Sequence, residues 1–252
     1  MQTEVLISHK EHIRKILSRQ HVKRPATLER DIDFSSRSKE LKSDKFFLFD
    51  FNGPFQTMSS KLGLEKALIQ FAQEPRHVLS YFKDILESIF KQYNRCKDEG
   101  YQFDGVWIWE DIAYDKGLLF SVARYRSQLI ALHRELCDFF NSEGLLPFMH
   151  CDGNVESLIP LWVSIGVKGI HPIQEQCNPN ILQIKDIFKQ AMTFVGGVGV
   201  DRVNKGRKEL LDRLRELNAG GSYIFSLDGP LIDEANKREY NIFCRDLEIQ
   251  GV

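Results

Sequence analysis

Apolar and polar positions along this chain alternate in blocks that predict strands followed by helices. Short apolar runs that end in polar or glycine residues indicate buried strands, and longer segments with apolar residues three and four positions apart indicate amphipathic helices. The predicted strands are Lys45–Phe51, Phe103–Trp109, Leu145–Met149, Val167–Pro172, Thr193–Val200 and Ser222–Leu227. The helices predicted between and after them are Leu62–Phe71, Val78–Arg95, Tyr125–Ser142, Val155–Ser164, Ile181–Gln190, Asn204–Asn218 and Glu234–Leu247.

This alternation predicts a parallel sheet covered by helices, because each strand is apolar on both sides. A wound open sheet and a (β/α) barrel both fit the order of elements. Polar residues follow four of the strands, namely Glu110, His150, Gln174 and Asp228. A barrel gathers all its strand ends at one mouth, whereas an open sheet binds ligands at one switch point. We therefore expect an α/β fold of the (β/α)8 TIM-barrel type, with about six recognisable strands and hence incomplete.

The first 44 residues lack the strand pattern. Glu4–Gln20 is predicted as a helix with basic residues on its polar face, and a polar connection, Ser35–Lys45, leads to the first strand. We accordingly divide the chain into an N-terminal helical and basic extension, residues 1–44, and a barrel domain, residues 45–252.

Charge and cysteine content exclude several classes of protein. The 252 residues have a formal net charge of −1, which gives no electrostatic reason to expect nucleic acid or a membrane surface as partner. The five cysteines are scattered and form no Cys-x-x-Cys pair, so a reduced, cytoplasmic protein is expected. No apolar run approaches the ~18 residues of a membrane span, and the first residues lack an apolar signal core.

The segment Leu145–Asn154, with sequence LLPFMHCDGN, is the strongest candidate for a functional strand end. Side chains alternate sides along a strand, so His150 and Asp152 share one side and Cys151 faces the other. The pair suits metal ligation or general acid–base chemistry. Alternatively, His150 simply ends the strand and Asp152 caps the next helix. Cys151 is expected to be a buried structural thiol.

Further candidates lie at other strand ends. Glu110 and Asp111 follow Trp-Ile-Trp, so one of them faces inward in either register, as a proton donor or as a cap of the next loop. Asp228 is an inward carboxylate or a turn residue. The glycine run at 196–199 lacks the spacing of a phosphate-binding loop, and its small residues instead allow close packing or close approach of a ligand inside a barrel. Three residues are expected to contact substrate: Gln174, Gly197 and Asp201.

Five segments of the chain together resemble the uroporphyrinogen decarboxylase superfamily, a family of (β/α)8 barrels. The resemblance extends over about residues 45–228, most of the chain. Its segments are DFNGPFQTM at 50–58, DGVWIWEDIAYDKGLLFS at 104–121, LLPFMHCDGNVESLIPLWVSIGVKGIHPIQ at 145–174, FVGGVGVD at 194–201 and SYIFSLDGP at 222–230.

The superfamily includes cofactor-free decarboxylases and zinc-dependent methyltransferases that act with a cobalamin-bearing protein. For the methyltransferases the resemblance implies a His-x-Cys pair and a later Cys as zinc ligands. Here His150 matches the His, and Asp152 and Asp228 stand in place of the thiolates. The resemblance therefore implies a divalent metal held by these three residues. Because carboxylates suit harder cations, tight zinc binding is not expected.

Family decarboxylases carry an arginine-rich segment and an Asp on their first two strands, and residues 1–44 show no matching motif. About two strands are thus expected to be missing, in a truncated or split chain or in one that closes its sheet by forming a homo-oligomer.

We expect an enzyme that moves a methyl group between a small substrate and a corrinoid on a partner protein. Its catalytic residues would be Glu110, Asp111 and His150. The alternatives are a cofactor-free tetrapyrrole decarboxylase and a non-catalytic shortened barrel.

Overall fold

Eight parallel strands form one sheet that curls into a nearly closed barrel. The computed structural model describes residues 8–20, 22, 26–205, 207–229 and 233–250. The strands in these residues are β1 Ala26–Thr27, β2 Ile32–Phe34, β3 Phe46–Asn52, β4 Gly105–Trp109, β5 Ala113–Tyr114, β6 Gly117–Leu118, β7 Leu146–His150, β8 Gly169–His171, β9 Thr193–Val195 and β10 Tyr223–Phe225. β5 and β6 pair with each other as a separate antiparallel hairpin.

Twelve helices occur in the described residues, and those in the longer connections cover the outer surface of the barrel. They are α1 His9–Leu17, α2 Leu28–Asp31, α3 Pro54–Leu62, α4 Leu64–Gln73, α5 Pro75–Asp98, α6 Val122–Gln128, α7 Ile130–Ser142, α8 Ile159–Ser164, α9 Ile181–Phe188, α10 Asp201–Lys205, α11 Arg207–Asn218 and α12 Glu234–Gln250. Within the described ranges, no helix is long and apolar enough to cross a membrane.

The predicted (β/α)8 barrel is confirmed, and each predicted strand and helix overlaps an observed one. Residues 4–7 of the first predicted helix and Pro230 of the last strand-end segment lie outside the described residues. The strand predicted over Thr193–Val200 ends at Val195. Gly196 and Gly197 have φ angles of 98° and 80°, which are incompatible with an extended strand and explain the early end.

Two strands more than expected complete the barrel. β1 pairs with β10 and β2 pairs with β3, and the four-residue helix α2 connects them. Both strands lie within residues 1–44, upstream of the expected start of the barrel. They lie in the charged and polar segment ATLERDIDFSS at 26–36, so no apolar run marks either of them as a strand. β1 and β2 are the two ends of the sheet, and α2 bridges the gap between them.

Apolar side chains fill both the inside and the outside of the barrel wall. Phe49 and Phe51 of β3 pack outward against the helices, whereas Leu48 faces the interior. The alternation follows from the two-residue period of a strand. The buried interior cluster consists of Ile13, Ile16, Ala26, Ile32, Phe34, Phe46, Leu48, Trp107, Phe148, Val195 and Ile224.

Helix α1 lies across the amino-terminal end of the barrel. Its Ile13 and Ile16 belong to the interior cluster. Arg14 and Lys10 form ion pairs of 2.7 and 2.9 Å with Asp104, which directly precedes β4. All strands of the parallel sheet begin at the end that α1 covers. The opposite end, where the strands finish, is therefore the open mouth of the barrel.

Candidate functional site

The carboxyl ends of β4 and β7 bring two carboxylates and an imidazole together. The strands are neighbours, with Trp109 opposite His150, so Asp111 and Asp152 emerge side by side two residues further on. Asp111 Oδ1 lies 3.7 Å from His150 Nε2 and accepts a 3.0 Å hydrogen bond from the Asp152 backbone N–H. One donor atom from each of Asp111, His150 and Asp152 lies within 4.8 Å of the others. We call these three residues the mouth cluster.

The negative charge of the mouth cluster is not balanced by a basic side chain of the described residues. Burial lowers the pKa of His150 to about 4 although the Asp111 carboxylate acts in the opposite direction, so the imidazole is neutral at physiological pH. Partial burial and the charge of Asp111 raise the pKa of Asp152. Among the described residues, no Lys or Arg forms an ion pair with Asp111 or Asp152. The cluster thus offers a neutral nitrogen ligand and two carboxylates that repel each other.

His171 at the end of β8 orients the His150 ring. A 2.8 Å hydrogen bond joins the Nδ1 atoms of the two rings, which stack with their centroids 5.0 Å apart. Burial and the neighbouring His150 lower the pKa of His171 well below its usual value. Sequence reasoning missed this residue. The signal was present, because His171 ends the predicted strand Val167–Pro172, and the structure pairs this strand with β7 so that His171 lies opposite His150.

The loop after β7 is fixed by backbone contacts. Gly153 has φ of 96°, and a Cβ atom there would lie 2.6 Å from the Tyr114 backbone nitrogen in the β5–β6 hairpin. The Gly153 N–H donates to Gln174 Oε1 at 2.6 Å, and the Asn154 N–H donates to the Tyr114 carbonyl at 2.9 Å. Gln174, a predicted substrate contact, therefore holds the loop that carries Asp152.

A cavity of about 510 Å³ opens beside the mouth cluster. Its aromatic wall is formed by Phe34, Trp107 and Trp109, and His150, His171 and Asp152 line its polar end. This volume lies within the usual ~300–1,000 Å³ of small-molecule sites. The cavity extends to α2 and β2, where the gap in the sheet lies.

Glu110, the other predicted catalytic carboxylate at this strand end, points away from the mouth. It is fully buried on the outside of the barrel, where its oxygens accept hydrogen bonds from the backbone N–H groups of Phe55 and Gln56 at the start of α3. His133 Nε2 lies 3.0 Å from the same carboxylate. A carboxylate in this position stabilises the first turn of α3. The Glu110 carboxylate therefore lies on the opposite side of the strand from the mouth cluster, although the Glu110 backbone N–H donates to the His150 carbonyl at 2.9 Å.

Asp228, expected as a third metal ligand, lies apart from the mouth cluster. Its Oδ1 accepts from the N–H groups of Gly197 and Val198, and its Oδ2 accepts from that of Glu175. Burial raises its pKa to about 6 although these hydrogen bonds act in the opposite direction. Asp228 thus fixes the loop after β9, and Asp111 takes the third place beside His150 and Asp152.

The three predicted substrate contacts lie around Asp228 rather than around His150. Gly197 donates its N–H to Asp228 and accepts a 3.0 Å hydrogen bond from Arg213 Nε at its carbonyl. Gln174 and Asp201 line a second, smaller cleft of about 270 Å³. Asp228 lines both the cleft and the large cavity, so the two are neighbours at the mouth.

Comparison with known proteins identifies similar folds. A scan against protein-family models and a search of curated proteins by sequence both find no match. A methyltransferase from Methanosarcina mazei is 17% identical, with a TM-score of 0.60 over 82% of this chain. A dihydropteroate synthase from Xanthomonas albilineans is 16% identical, with a TM-score of 0.44 over 66% of this chain and 62% of its own. The present chain spans 60% of the methyltransferase's length. The likeness to the methyltransferase shows that the two proteins share the barrel fold.

Proposed function

We propose that this chain is a methyltransferase-like enzyme that holds a divalent cation in the mouth cluster and binds a small methyl-bearing substrate in the adjoining cavity. The observation that carries the proposal is the convergence of Asp111, His150 and Asp152 within 4.8 Å at the rim of that cavity. The carboxyl-terminal end of the strands is where TIM-barrel enzymes place their active sites. The shared fold with a methyltransferase and the sequence resemblance add to this argument.

The chemistry of the mouth cluster fits a cation. A neutral imidazole and two carboxylates suit Zn²⁺, Mn²⁺ or Mg²⁺, and the lack of a thiolate makes tight zinc binding less favourable than in a cysteine site. The charge of Asp111 that raises the pKa of Asp152 would be neutralised by a bound cation. His171 holds the His150 ring through Nδ1, which leaves Nε2 directed towards Asp111 as the ligand atom. A hydrogen bond to the second ring nitrogen is the usual arrangement for a metal-binding histidine.

A cation held by the mouth cluster would supply Lewis-acid polarisation of the heteroatom that carries the methyl group. In the proposed reaction the methyl group would pass to a reduced corrinoid on a partner protein, while the heteroatom would keep the electron pair of the broken bond and take up a proton. The residues of this chain would position the substrate. Trp107, Trp109 and Phe34 form an aromatic wall, and the hydrogen bond from the Asp152 backbone N–H to the Asp111 carboxylate holds Asp111 in the cluster.

The test combines metal analysis with a transfer assay. The full chain is loaded separately with Zn²⁺, Mn²⁺ and Mg²⁺, and cob(I)alamin is mixed with methanol, methylamines and methoxyarenes while its absorbance is followed. We expect bound metal and metal-dependent formation of methylcobalamin with at least one donor. Asp152→Asn should lower the rate at least tenfold, because one carboxylate ligand is lost. Asp98→Asn, a matched change of an exposed carboxylate on α5, should leave it unchanged.

Failure of the chain to bind metal, together with an unchanged spectrum for every donor, would contradict the proposal. Release of carbon dioxide from uroporphyrinogen in the absence of metal would instead support the decarboxylase alternative.

A further inference from the structure

Two buried nitrogen atoms beside the large cavity have no hydrogen-bond partner. Within the described part of the chain, neither Trp107 Nε1 nor His171 Nε2 meets a donor or acceptor. Both residues line the cavity, and Trp107 is fully buried. A buried polar atom left without a partner destabilises the fold, so such atoms are rare and call for an explanation.

The indole nitrogen can only donate. The other two tryptophans already use this group: Trp109 Nε1 donates to Asp50 Oδ2 at 3.3 Å, and Trp162 Nε1 donates to the Tyr125 hydroxyl at 2.9 Å. Trp107 is therefore the one tryptophan of three whose N–H is unused, and it lies inside the barrel.

His171 Nε2 is a donor as well if His150 Nε2 holds the cation of the proposed function, on which this step rests. In the hydrogen bond between the two Nδ1 atoms, one must donate and the other must accept. A cation held by His150 Nε2 leaves the His150 proton on Nδ1, so that atom donates. His171 then accepts through Nδ1 and carries its own proton on Nε2.

Two unused N–H groups on neighbouring rings define a site for an oxygen acceptor. The ring centroids of Trp107 and His171 are 5.0 Å apart, so one oxygen-bearing group can face both. Four carboxylates line the cavity, from Glu29, Asp33, Asp152 and Asp228, against the two cationic side chains of Arg37 and Lys45. In the metal-free protein this balance disfavours an anionic ligand.

We propose that the cavity binds a small, neutral, planar molecule whose carbonyl oxygen accepts hydrogen bonds from Trp107 Nε1 and His171 Nε2. The substrate class for the mouth cluster is therefore a carbonyl-bearing compound, such as an amide, with its polar group placed deep in the barrel and its remainder directed to the mouth.

Indole N–H signals in NMR spectra test this proposal directly. The full chain, labelled with ¹⁵N at tryptophan, gives three indole signals, and Trp107→Phe identifies the relevant one. Benzamide is the neutral acceptor probe, benzoate carries the same ring with a charged acceptor, and benzylamine is the control without an acceptor oxygen. Spectra are recorded with EDTA and again with Mg²⁺.

We expect benzamide to move the Trp107 signal downfield and to leave the Trp162 signal in place, since the Trp162 N–H already has a partner. Benzoate should bind more weakly, and benzylamine should cause no such shift. Trp107→Phe keeps the aromatic wall and should weaken benzamide binding about fivefold to tenfold, the effect of one hydrogen bond.

No shift of the Trp107 signal with benzamide, or an equal shift with benzylamine, would overturn the proposal. A stronger response to benzoate than to benzamide in EDTA, where no cation attracts the carboxylate, would overturn the assignment of a neutral ligand. Because the Trp107 N–H is a donor with or without metal, a shift in EDTA combined with failure to bind metal would contradict the proposed function alone. Metal binding without any benzamide shift would contradict this inference alone.

Discussion

Two adjacent carboxylates at the end of β4 have opposite surroundings. Glu110 is enclosed between the barrel wall and the start of α3, and Asp111 is partly exposed at the mouth, where 38% of its side chain reaches solvent. Sequence alone predicts only that one of the two faces inward. The strand period requires neighbouring side chains to face opposite sides, but it does not say which of the two faces the interior. The hydrogen bonds between the Glu110 carboxylate and the start of α3 hold Glu110 on the outer side and so place Asp111 at the mouth.

Replacing Glu110 by Gln should destabilise the fold by about 3 kcal/mol, because an amide nitrogen would then face backbone N–H groups in a buried site. Asp111→Asn should change stability by less than about 1 kcal/mol, since its Oδ1 can still accept from Asp152 and a repulsive charge is removed. Urea denaturation of both variants measures the difference. Equal stability of the two would show that Glu110 does not stabilise α3.

The alternation of side chains along a strand predicts which residues share a side, but it does not predict what those residues contact. The alternation along β7 predicted that His150 and Asp152 share one side, and both lie at the mouth. Asp228 follows a strand in the same manner, yet its oxygens accept from backbone groups of residues 175, 197 and 198. Those partners come from other loops in the fold, so local sequence could not separate a ligand from a loop-fixing residue.

At the scale of elements, the β5–β6 hairpin supports the loop that carries Asp152. The backbone of Gly153 lies against Tyr114, where a side chain has no space. The hairpin was not predicted, because its strands have two residues each and bury little apolar surface. Its role depends on a contact between segments about 40 residues apart in the chain, which no local pattern encodes.

Gly153→Ala should weaken metal binding at least tenfold, because the new Cβ forces the loop away from Tyr114 and displaces Asp152. Gly144→Ala is the matched control: its φ is also positive, at 77°, but a Cβ there meets no atom within 4 Å. Both variants should lose about 1 kcal/mol of stability from backbone strain. Calorimetric titration with Mn²⁺ measures the affinities. An equal loss of affinity in both variants would mean that the Tyr114 contact does not position Asp152.

At the scale of the whole molecule, the described part of residues 1–44 contributes to the barrel itself. α1 fills the amino-terminal end, and β1 and β2 supply the two strands that sequence analysis did not predict. The other six strands could be predicted because each lies in a distinct apolar run between turn residues. The two short strands could not, because their pairing depends on β10 and β3 rather than on their own sequence.

Ile13→Ala should therefore destabilise the whole barrel by about 3 kcal/mol, the usual cost of truncating a fully buried Ile side chain. Ile187→Ala, at a position with 70% exposure on α9, should cost less than about 0.5 kcal/mol. Denaturation followed by tryptophan fluorescence is the measurement, because Trp107 reports on the interior of the barrel. An Ile13→Ala variant as stable as the wild type would mean that α1 is only appended to the barrel.

The proposed metal site requires Asp111, His150 and Asp152 to hold one divalent cation together. Anomalous diffraction from crystals of the full chain soaked in Mn²⁺ would locate such an ion. We expect one strong peak about 2.0–2.4 Å from His150 Nε2 and from a carboxylate oxygen of both Asp111 and Asp152. A peak at Asp228 instead, or no peak within reach of His150, would contradict it.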